Sequence, residues 1–441
     1  MMMIQKMKGT EDILPNQSAT WQYVEDVARD IFDTYMFKEI RTPMFESLEL
    51  FQRGVGDTTD IVSKEMYQFK DKGDRDIALR PEGTAPVVRA YVEHKLFGPE
   101  HAKPLKVYYM GPMFRFERPQ AGRQRQFTQI GVEVLGSSNP LNDAETIAMA
   151  WDLFNELGLS KIKLCLNSLG KTQDRQAYRQ ALIAYYEPHL ASLSEDSQRR
   201  LHTNPLRILD SKDEKDKQFL AGAPKITDYL SEESRQHFDQ VCHMLDALDI
   251  PYVIDPLIVR GLDYYQDTIF EIIVEDDAIG AQSTICGGGR YDGLVEDLGG
   301  PQTPSFGFAI GMERLLLLLE QQAISLPIED DLDVYVMTIG DQAVIPGLQI
   351  MQAIRQAGYR VDTDVLQRSM KSQFKTLAKL GTKLLITIGE DELAKGKVQI
   401  KNQANGKQAE ESISDILEDF APIYRKHTMD TSVIDNFFEG E

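Results

Sequence analysis

The chain has 441 residues, more than one hydrophobic core usually organises, so two or three domains are expected. Its formal net charge of −21 argues against a protein held to nucleic acid mainly by phosphate neutralisation, although net charge says little about a local basic patch. The N-terminus lacks the apolar core of a signal peptide, and the longest leucine run, Leu315 to Leu319, is far shorter than a membrane span. Three widely spaced cysteines without a CxxC pair predict a reducing cytosol and no structural zinc.

Apolar spacing in the first part of the chain predicts both helices and strands. The residues from Ser18 to about Phe37 have helical spacing, and Pro43 follows in an extended segment. From Lys106 to Leu135 two strand-like runs flank a charged connection that contains glycine. The stretch from Asp174 to Leu248 is highly charged and mostly helical, which indicates an insertion into a sheet. The sheet pattern then resumes and ends in a helix from Met312 to Gln322.

The pattern of apolar residues changes in the last part of the chain. Pro327 and the acidic residues after it mark a linker, beyond which strand-like runs alternate with helical stretches. These segments are Val334–Ile339, Val344–Gln356, Met370–Leu380, Lys383–Ile388 and Val398–Lys401. The alternation predicts a separate α/β module. We therefore predict a first domain over residues 1–326 with a helical insertion over about 170–248, a second domain over 332–421, and a flexible tail over 422–441.

The strand from Arg125 to Leu135 has two different faces. Because side chains alternate along a strand, Thr128, Ile130, Val132 and Val134 share one face. The other face carries Arg125, Phe127, Gln129, Gly131 and Glu133, and the preceding strand ends on a further arginine, Arg115.

This polar strip suits an anion together with a small polar molecule. Arginines on both strands can clamp phosphate oxygens, and Phe127 can stack on a purine. The carboxylate of Glu133 could hold a cationic or hydrogen-donating ligand. The alternative is a solvated hairpin face with surface ion pairs, which is common on antiparallel sheets.

A second cluster, Leu79–Pro86, directly precedes an apolar helical stretch. Thr84 is a credible N-cap, and Pro86 fits the first helical turn. Glu82 is then either a residue favoured by the helix dipole or, with Thr84, a receptor for an ammonium group.

Two further clusters follow in the resumed sheet. The run Arg260–Tyr265 precedes a strand, and the run Gly287–Asp292 begins with three glycines, which permit either a close backbone approach or a tight turn. The segment Gly307–Leu315 is a strand that runs into a helix. It places Arg314 in the first helical turn, where backbone N–H groups favour anions; the alternative is an ordinary helix arginine.

Together these clusters resemble one family, the histidyl-tRNA synthetases, from Lys8-Gly9-Thr10-Glu11-Asp12-Ile13-Leu14-Pro15 to the C-terminal module. The Phe114–Arg118 region is similar to class II motif 2, Gly307–Leu315 to motif 3, and the Ser18 helix with Pro43 to the dimer-forming motif 1. The histidine branch is marked by Arg260-Gly261-Leu262-Asp263-Tyr264-Tyr265 and Gly288-Gly289-Arg290-Tyr291-Asp292. The resemblance covers about the first 420 residues.

The resemblance implies a fold and an activity. The fold would be an α+β catalytic core with a mainly antiparallel sheet of the class II synthetase type, a helical insertion and a C-terminal α/β anticodon-binding domain. The enzyme would activate L-histidine with ATP to histidyl-adenylate and pyrophosphate, and then transfer histidine to the 3′-terminal ribose of tRNA(His). Mg²⁺ would accompany the pyrophosphate without a dedicated protein metal site. A cytoplasmic homodimer with no membrane or DNA partner is implied.

The resemblance also implies roles for individual residues in the histidine site. Glu82, Thr84 and Gln129 would hold the α-ammonium group of histidine. Glu133 and Tyr265 would bind the imidazole nitrogens. Tyr264 and Tyr291 would line the amino-acid pocket. Because both ring nitrogens would be paired, discrimination would be strong, and we expect no proofreading domain.

The ATP and tRNA sites follow in the same way. Arg115 would bind the α-phosphate, Phe127 would stack on adenine, and Arg123 and Arg314 would reach the outer phosphates, with Glu117 in the same site. Arg260 would stabilise the charge that develops at the α-phosphate, so Arg260 and Arg115 are the expected catalytic residues. Arg118 and Gln120 would contact the acceptor end of the tRNA.

Two other functions compete with this interpretation. One is a non-catalytic paralogue that binds histidine as a sensor, although such paralogues usually lack the C-terminal module and catalytic residues. The other is a different class II adenylate-forming ligase, which would share Arg115 and Arg314 but would not need the Arg260–Tyr265 motif.

Overall fold

The computed structural model describes residues 3–56, 59, 61–259, 262, 264–275, 284–328 and 331–429. The chain divides into two units, Met1–Leu326 and Pro327–Glu441. Arg260, Gly261 and Asp263 of the expected histidine motif lie outside the described residues, as do residues 430–441 of the expected tail.

The first unit contains eleven strands among its described residues. They are β1 Lys38–Glu39, β2 Phe45–Ser47, β3 Gln68–Lys70, β4 Asp76–Leu79, β5 Leu105–Phe114, β6 Gln126–Leu135, β7 Ile162–Ser168, β8 Tyr252–Ile254, β9 Gln266–Val274, β10 Thr284–Arg290 and β11 Ser305–Gly311. Its helices are α1 Pro15–Thr34, α2 Leu48–Val55, α3 Thr84–Glu93, α4 Pro140–Glu156, α5 Thr172–Tyr186, α6 Glu195–Arg200, α7 Glu214–Leu220, α8 Glu232–Ala247, α9 Leu294–Asp297 and α10 Met312–Gln321.

Eight of these strands form the main sheet, in the order β1-β5-β6-β11-β10-β9-β7-β8. The six central strands pair antiparallel, while the short edge strands β1 and β8 pair parallel to their neighbours. The strands β2, β4 and β3 make a separate small sheet. The predicted mainly antiparallel core is confirmed.

The main hydrophobic core lies on one face of this sheet, beneath α1, α4 and α8. Ile130, Val132 and Val134 of β6 are all fully buried there, as the alternating pattern predicts. The transfer of each such side chain out of water contributes about 1.5–3 kcal/mol. The opposite face of β6 is therefore left free to carry polar groups.

The charged helical stretch has its own small core, but its last helix does not belong to that core. Tyr178, Leu182 and Tyr186 of α5 pack with residues from α6 to the segment before α8. In contrast, α8 was expected to be part of the insertion and instead packs against α4 in the main core. The reason is its apolar stripe of Phe238, Val241 and Leu245, which recurs at helical spacing.

The second unit has the predicted α/β character. Its strands are β12 Val334–Thr338, β13 Val361–Thr363, β14 Leu384–Ile388, β15 Lys397–Asn402 and β16 Gln408–Ser412, in the order β13-β12-β14-β15-β16. Its helices are α11 Val344–Gln356, α12 Met370–Lys379, α13 Glu390–Lys395, α14 Ile413–Glu418 and α15 Phe420–Thr428.

The prediction that a flexible tail begins at residue 422 is wrong for its first residues. Helix α15 continues to Thr428, and Phe420 and Ile423 are buried in the core of the second unit. The Asp419 side chain accepts a hydrogen bond from the Ala421 N–H and so caps the helix. One buried apolar turn is too short to show as a sequence period.

The glycines of Gly287–Gly289 lie inside β10 rather than in a tight turn. A β-carbon at Gly288 would collide with the backbone of β11 at Gly307. The strand then ends on Arg290, whose side chain is almost fully buried and pairs with Asp143 of α4, which is itself fully buried. Asp292 also accepts from Arg290, at 3.1 Å, and His237 of α8 lies 2.8 Å from Asp143. This ion pair ties the sheet to α4.

Replacement of Arg290 by alanine should lower the free energy of unfolding by about 3–5 kcal/mol, because it leaves the buried Asp143 charge without its main partner. Urea unfolding followed by tryptophan fluorescence measures this, since Trp21 and Trp151 both pack against the main core. Arg41→Ala removes an exposed pair with Glu39 and should leave the unfolding midpoint unchanged. A loss below about 1 kcal/mol for Arg290→Ala would contradict this role.

Candidate active site

A cavity of about 690 Å³ opens on the sheet face that points away from α1, α4 and α8. Its volume lies within the range of small-molecule sites, about 300–1,000 Å³. Ten of the residues expected in the histidine and ATP sites line it. They are Glu82, Thr84, Arg115, Glu117, Arg123, Phe127, Gln129, Tyr264, Tyr265 and Arg314.

One end of the cavity contains three arginines, Arg115, Arg123 and Arg314, together with the carboxylate of Glu117. Glu117 lies 3.8 Å from the guanidinium of Arg115 and 3.7 Å from that of Arg123. The charges of Arg123 and Glu117 also act on Arg314, whose pKa is lowered chiefly by burial. The charge of Glu271 acts on Arg314 as well, so three cations lie near two anions and this end of the cavity favours an anionic ligand.

The arginines are held in place by the backbone around them. Arg115 ends the β5 side of the hairpin, donates from Nε to the carbonyl of Pro81 at 2.8 Å, and lies over the Phe127 ring at 5.1 Å. Arg314 is in the first turn of α10 and donates to the carbonyl of Thr284. Fixed guanidinium planes of this kind suit bidentate phosphate contacts.

The other end of the cavity is lined by the buried carboxylate of Glu82, and a second buried carboxylate, that of Glu133, lies behind it. Both oxygens of Glu82 accept hydrogen bonds, from the backbone N–H groups of Thr84 and Ala85, each at 2.8 Å. Thr84 was expected to be the N-cap of α3, but it is the first helical residue and Gly83 precedes it as the cap. The carboxylate of Glu82 takes over the capping, because it satisfies the first free N–H groups of the helix.

The hydroxyl of Thr84 instead makes a hydrogen bond to a residue that is distant in the sequence. It donates to Glu133 Oε1 at 2.6 Å, while the hydroxyl of Tyr291 donates to Oε2 of the same carboxylate. Glu133 and Tyr291 do not line the cavity but lie behind its wall. Burial raises the pKa of Glu133 to about 8, the nearby charge of Glu82 adds to the rise, and the two hydrogen bonds oppose it.

Tyrosine rings form a wall beside these carboxylates. The ring of Tyr264 lies 4.7 Å from that of Tyr265 and 5.6 Å from that of Tyr291, measured between centroids. Tyr264 and Tyr265 line the cavity, whereas Tyr291 supports them from behind. The wall is therefore apolar in its faces and polar at its hydroxyl tips.

The remaining predicted residues lie elsewhere. Arg118 and Gln120 are exposed in the connection between β5 and β6 and do not line the cavity. Arg260 lies outside the described residues.

The sequence analysis missed several cavity residues, among them Tyr109, Glu271 and Glu313. Tyr109 of β5 has a buried hydroxyl without a hydrogen-bond partner among the described residues, and its register partner is Gly131. A glycine inside a strand indicates that a large neighbouring side chain needs the space. Gly131 could therefore have indicated a large residue at the position of Tyr109. Glu313 accepts from the N–H of Thr128 at 2.8 Å, and burial raises its pKa to about 7. The only feature of the sequence that could have indicated Glu313 is its position in the first turn of α10, next to Arg314.

Metal-binding groups are sparse in this unit. Among the described residues no three or more His, Cys, Asp or Glu side chains are grouped so that they could hold a metal ion. Glu271 of β9 lines the cavity, where its carboxylate accepts from the Thr284 hydroxyl at 2.9 Å. A single carboxylate suits Mg²⁺ that is shared with substrate phosphates.

Comparison with known proteins assigns the chain to a family. The family model of histidyl-tRNA synthetase matches residues 9–315. The chain belongs to this family. An anticodon binding domain model matches residues 333–421, within the second unit. Family membership makes the protein an ATP-dependent ligase that joins histidine to tRNA, as the sequence analysis predicted.

Similar proteins cover nearly the whole chain. A histidine–tRNA ligase of Limosilactobacillus fermentum is 56% identical over 427 residues, which is 97% of this chain and 99% of the relative. A histidine–tRNA ligase of Streptococcus pyogenes is 58% identical over 422 residues, with 96% and 99% covered. The crystal structure of apo histidyl-tRNA synthetase from S. aureus has a TM-score of 0.81 at 44% identity, and covers 94% of this chain and 99% of that one.

Within the described ranges, none of the helices has both the length and the apolarity that a bilayer crossing requires.

The raised pKa of Glu133 predicts a pH-dependent stability. The unfolded chain ionises this carboxyl near its ordinary value of 4.5, whereas the folded protein keeps the proton until about pH 8. The contribution of Glu133 to the free energy of unfolding is therefore fully present below pH 4.5 and is lost as the pH rises through about 8. Glu133→Gln cannot titrate, so the melting temperature of the wild type should fall relative to this variant between pH 5 and pH 8. Parallel melting curves across that window would contradict the assignment.

Proposed function

We propose that the cavity binds ATP at its arginine end and histidine at its carboxylate end, with the two reacting groups meeting between them. The observation that carries this proposal is the difference between the two ends: Arg115 and Arg123 pair with Glu117 near Arg314, while Glu82 accepts backbone N–H groups and Glu133 accepts hydroxyl groups. The phosphates of ATP are attracted to the arginines, whereas the ammonium group of histidine donates hydrogen bonds to the buried oxygens at the other end.

The proposed ATP contacts follow from the arginine positions. Arg115 binds the α-phosphate, and Arg123 and Arg314 bind the outer phosphates, while Glu117 keeps the three guanidinium groups from repelling one another. Phe127 offers its ring to adenine. Mg²⁺ neutralises phosphate charge when it is bound, and Glu271 is the cavity carboxylate that we expect to share it.

The proposed histidine contacts rest on unfilled hydrogen-bonding capacity. Gln129 lines the cavity with a buried side-chain oxygen that has no partner among the described residues. A buried acceptor without a donor favours a ligand that donates, such as an ammonium group. Glu82 and Thr84 complete this receptor from the start of α3, because carboxylate and hydroxyl oxygens can each accept a further hydrogen bond.

The imidazole ring is proposed to lie against the tyrosine wall. Tyr265 and Glu133 bind its two nitrogens, Tyr264 lies against its face, and Tyr291 supports Tyr264 from behind the cavity wall. Because Glu133 lies behind the cavity wall, its contact with the ring requires the hydroxyl of Thr84 or Tyr291 to turn aside when histidine enters. An amino acid without two ring nitrogens would leave these buried groups unpaired, which disfavours its binding.

The chemistry needs no side-chain nucleophile. The histidine carboxylate attacks the α-phosphorus of ATP, and pyrophosphate leaves. The terminal ribose hydroxyl of tRNA(His) then attacks the carbonyl carbon of the adenylate, so that the ester to the tRNA forms, AMP leaves and the hydroxyl proton is released. Arg115 stabilises the charge on the α-phosphate during attack, and Arg260 is proposed to do the same from the motif that precedes Tyr264. Arg118 and Gln120 are exposed in the hairpin connection and are proposed to contact the acceptor end of the tRNA.

Two further proposals concern assembly and location. We propose a homodimer that uses the segment after α1, where the neighbouring apolar side chains of Met44 and Phe45 are 51% and 58% exposed and could be covered by a second copy of the chain. We also propose a cytosolic location, because all three cysteines are buried and unpaired.

Histidine-dependent ATP–pyrophosphate exchange, screened with all twenty amino acids, tests this function. We expect exchange with histidine alone. Gln129→Ala should raise the KM for histidine about tenfold and leave the KM for ATP unchanged, because it removes one hydrogen bond to a charged group. Arg123→Ala should raise the KM for ATP and leave the KM for histidine unchanged.

Three results would contradict the proposal. Absence of exchange would indicate a histidine sensor. Preference for another amino acid, such as proline or threonine, would indicate a different ligase. Equal changes in both KM values for both variants would mean that the cavity does not have separate ends.

The second unit has a surface that suits RNA. Between Val365 and Gly389 the sequence has five cations and no acidic residue, in a chain whose net charge is −21. Helix α12 turns Gln373 and Leu377 inward and leaves one face exposed, with Lys371, Phe374 and Lys375 on it. Neither of these lysines forms an ion pair among the described residues.

We propose that this face binds the anticodon loop. An exposed aromatic ring between two free lysines offers stacking for an unpaired base and charge for its phosphates. Stacking on one aromatic side chain contributes about 1–3 kcal/mol per base. The neighbouring side chains of Val365 and Leu366 are 81% and 71% exposed and would extend the contact.

Phe374→Ala and the double substitution Lys371→Ala/Lys375→Ala should each raise the KM for tRNA about tenfold or more, without an effect on histidine-dependent exchange. The lysine pair should also weaken the salt dependence of tRNA binding. The control is Lys395→Ala/Lys397→Ala, since both of these lysines pair with Glu410. If the control pair weakened charging as strongly, the α12 surface would not be the binding face.

A further inference from the structure

The N-terminal segment reaches the hairpin that carries the ATP-binding arginines. Met7–Thr10 forms a turn in which the Thr10 N–H donates to the Met7 carbonyl at 3.1 Å. Gly9 occupies the third position of this turn with φ of +85°, which a type II turn requires and which glycine adopts without strain. The turn is reinforced by the Thr10 hydroxyl, which donates to the same carbonyl at 2.8 Å.

The carbonyl of Gly9 points at the start of β6. It accepts from the N–H of Arg125 at 2.6 Å and from that of Gln126 at 3.2 Å. The contact is close, because a β-carbon at Gly9 would lie 2.7–3.0 Å from three carbons of the Arg125 side chain. Only glycine therefore satisfies both the turn and the approach.

Arg125 in turn holds the connection between β5 and β6. Its carbonyl accepts from the N–H of Arg115 at 2.8 Å. Its guanidinium lies over the Phe116 ring at 3.9 Å and donates from Nε to the carbonyl of Glu117 at 3.1 Å. Arg125 does not line the cavity, so these contacts are internal and leave it without a direct role toward a ligand.

We propose that Gly9 is a positioning residue for ATP binding, which acts by holding Arg125 and through it the connection that carries Arg115, Glu117 and Arg123. This inference rests on the proposed ATP contacts of those residues. A shift at the base of the connection would move the three groups together relative to Arg314, which is fixed separately on α10. Misplacement by about 1 Å can cost two orders of magnitude in rate.

The test is Gly9→Ala in the full chain. We expect the KM for ATP in histidine-dependent exchange to rise about tenfold, with the KM for histidine unchanged, because the carboxylate end of the cavity does not depend on this turn. The matched control is Gly299→Ala. Gly299 has φ of +86° but open space around its missing β-carbon, so this variant has the same backbone strain without the contact. It should keep both KM values.

Arg125 provides a second, independent set of variants. Arg125→Lys keeps the charge but loses the planar stack on Phe116 and the Nε donor, so it should also raise the KM for ATP selectively. Because Gly9 acts through Arg125, the double variant Gly9→Ala/Arg125→Ala should be little worse than Arg125→Ala alone.

Several outcomes would overturn the proposal. They are an unchanged KM for ATP in Gly9→Ala or Arg125→Lys, an equal rise in both KM values, or additive losses in the double variant. If Gly9→Ala did not fold, the Arg125 variants would decide alone. Titration calorimetry with ATP and Mg²⁺ in the absence of histidine measures the same effect directly. It therefore separates failure of this proposal from absence of histidine activation.

Discussion

The burial of two carboxylates side by side is the constraint around which the active-site end of the first unit is built. An ionised carboxylate removed from water costs several kcal/mol unless hydrogen bonds replace its hydration. Glu82 receives two N–H groups from the start of α3, and Glu133 receives the hydroxyls of Thr84 and Tyr291. Space is provided at the same time, because a β-carbon at Gly307 would collide with the Glu133 carboxylate.

The same constraint separates the cavity into two ends. The carboxylates and their hydroxyl partners are fixed by β6, α3 and the residues after β10, whereas the arginines are placed by the hairpin connection and α10. The β6 strand joins the two groups, since Phe127 and Gln129 extend from one face while Ile130, Val132 and Val134 anchor the other face in the core. The ammonium group of histidine and the phosphates of ATP can therefore be held next to each other without competing for one site.

Much of this arrangement could be predicted because it depends on local pattern. The alternation along β6, the helical spacing of α1 and α10, and the alternating elements of the second unit are all periodic signals, and the structure confirms them. Motif order then identified the family. The predictions failed where a residue that is distant in the sequence determines the hydrogen bonds of a side chain. Thr84 has a good capping side chain, but a carboxylate 49 residues away takes its hydrogen bond.

Other features were also invisible to local reasoning. The hidden position of Glu133 depends on Tyr291, which is 158 residues away, and the pairing of Arg290 with Asp143 spans 147 residues. Helix α15 is stabilised by burial against a sheet and not by its own period. The turn at Gly9 is a further example. The positive φ of Gly9 is a local requirement, but the hydrogen bond that depends on it is made to Arg125 at the base of the hairpin.

The central claim is that one cavity holds the ammonium group of histidine at its carboxylate end and the α-phosphate of ATP at its arginine end. A crystal structure with histidine and a non-hydrolysable ATP analogue tests this most directly. We expect the ammonium group within hydrogen-bond distance of Gln129 and Glu82, and the α-phosphate on Arg115. Histidine bound among the arginines, or phosphates that do not contact Arg115 and Arg314, would contradict the account.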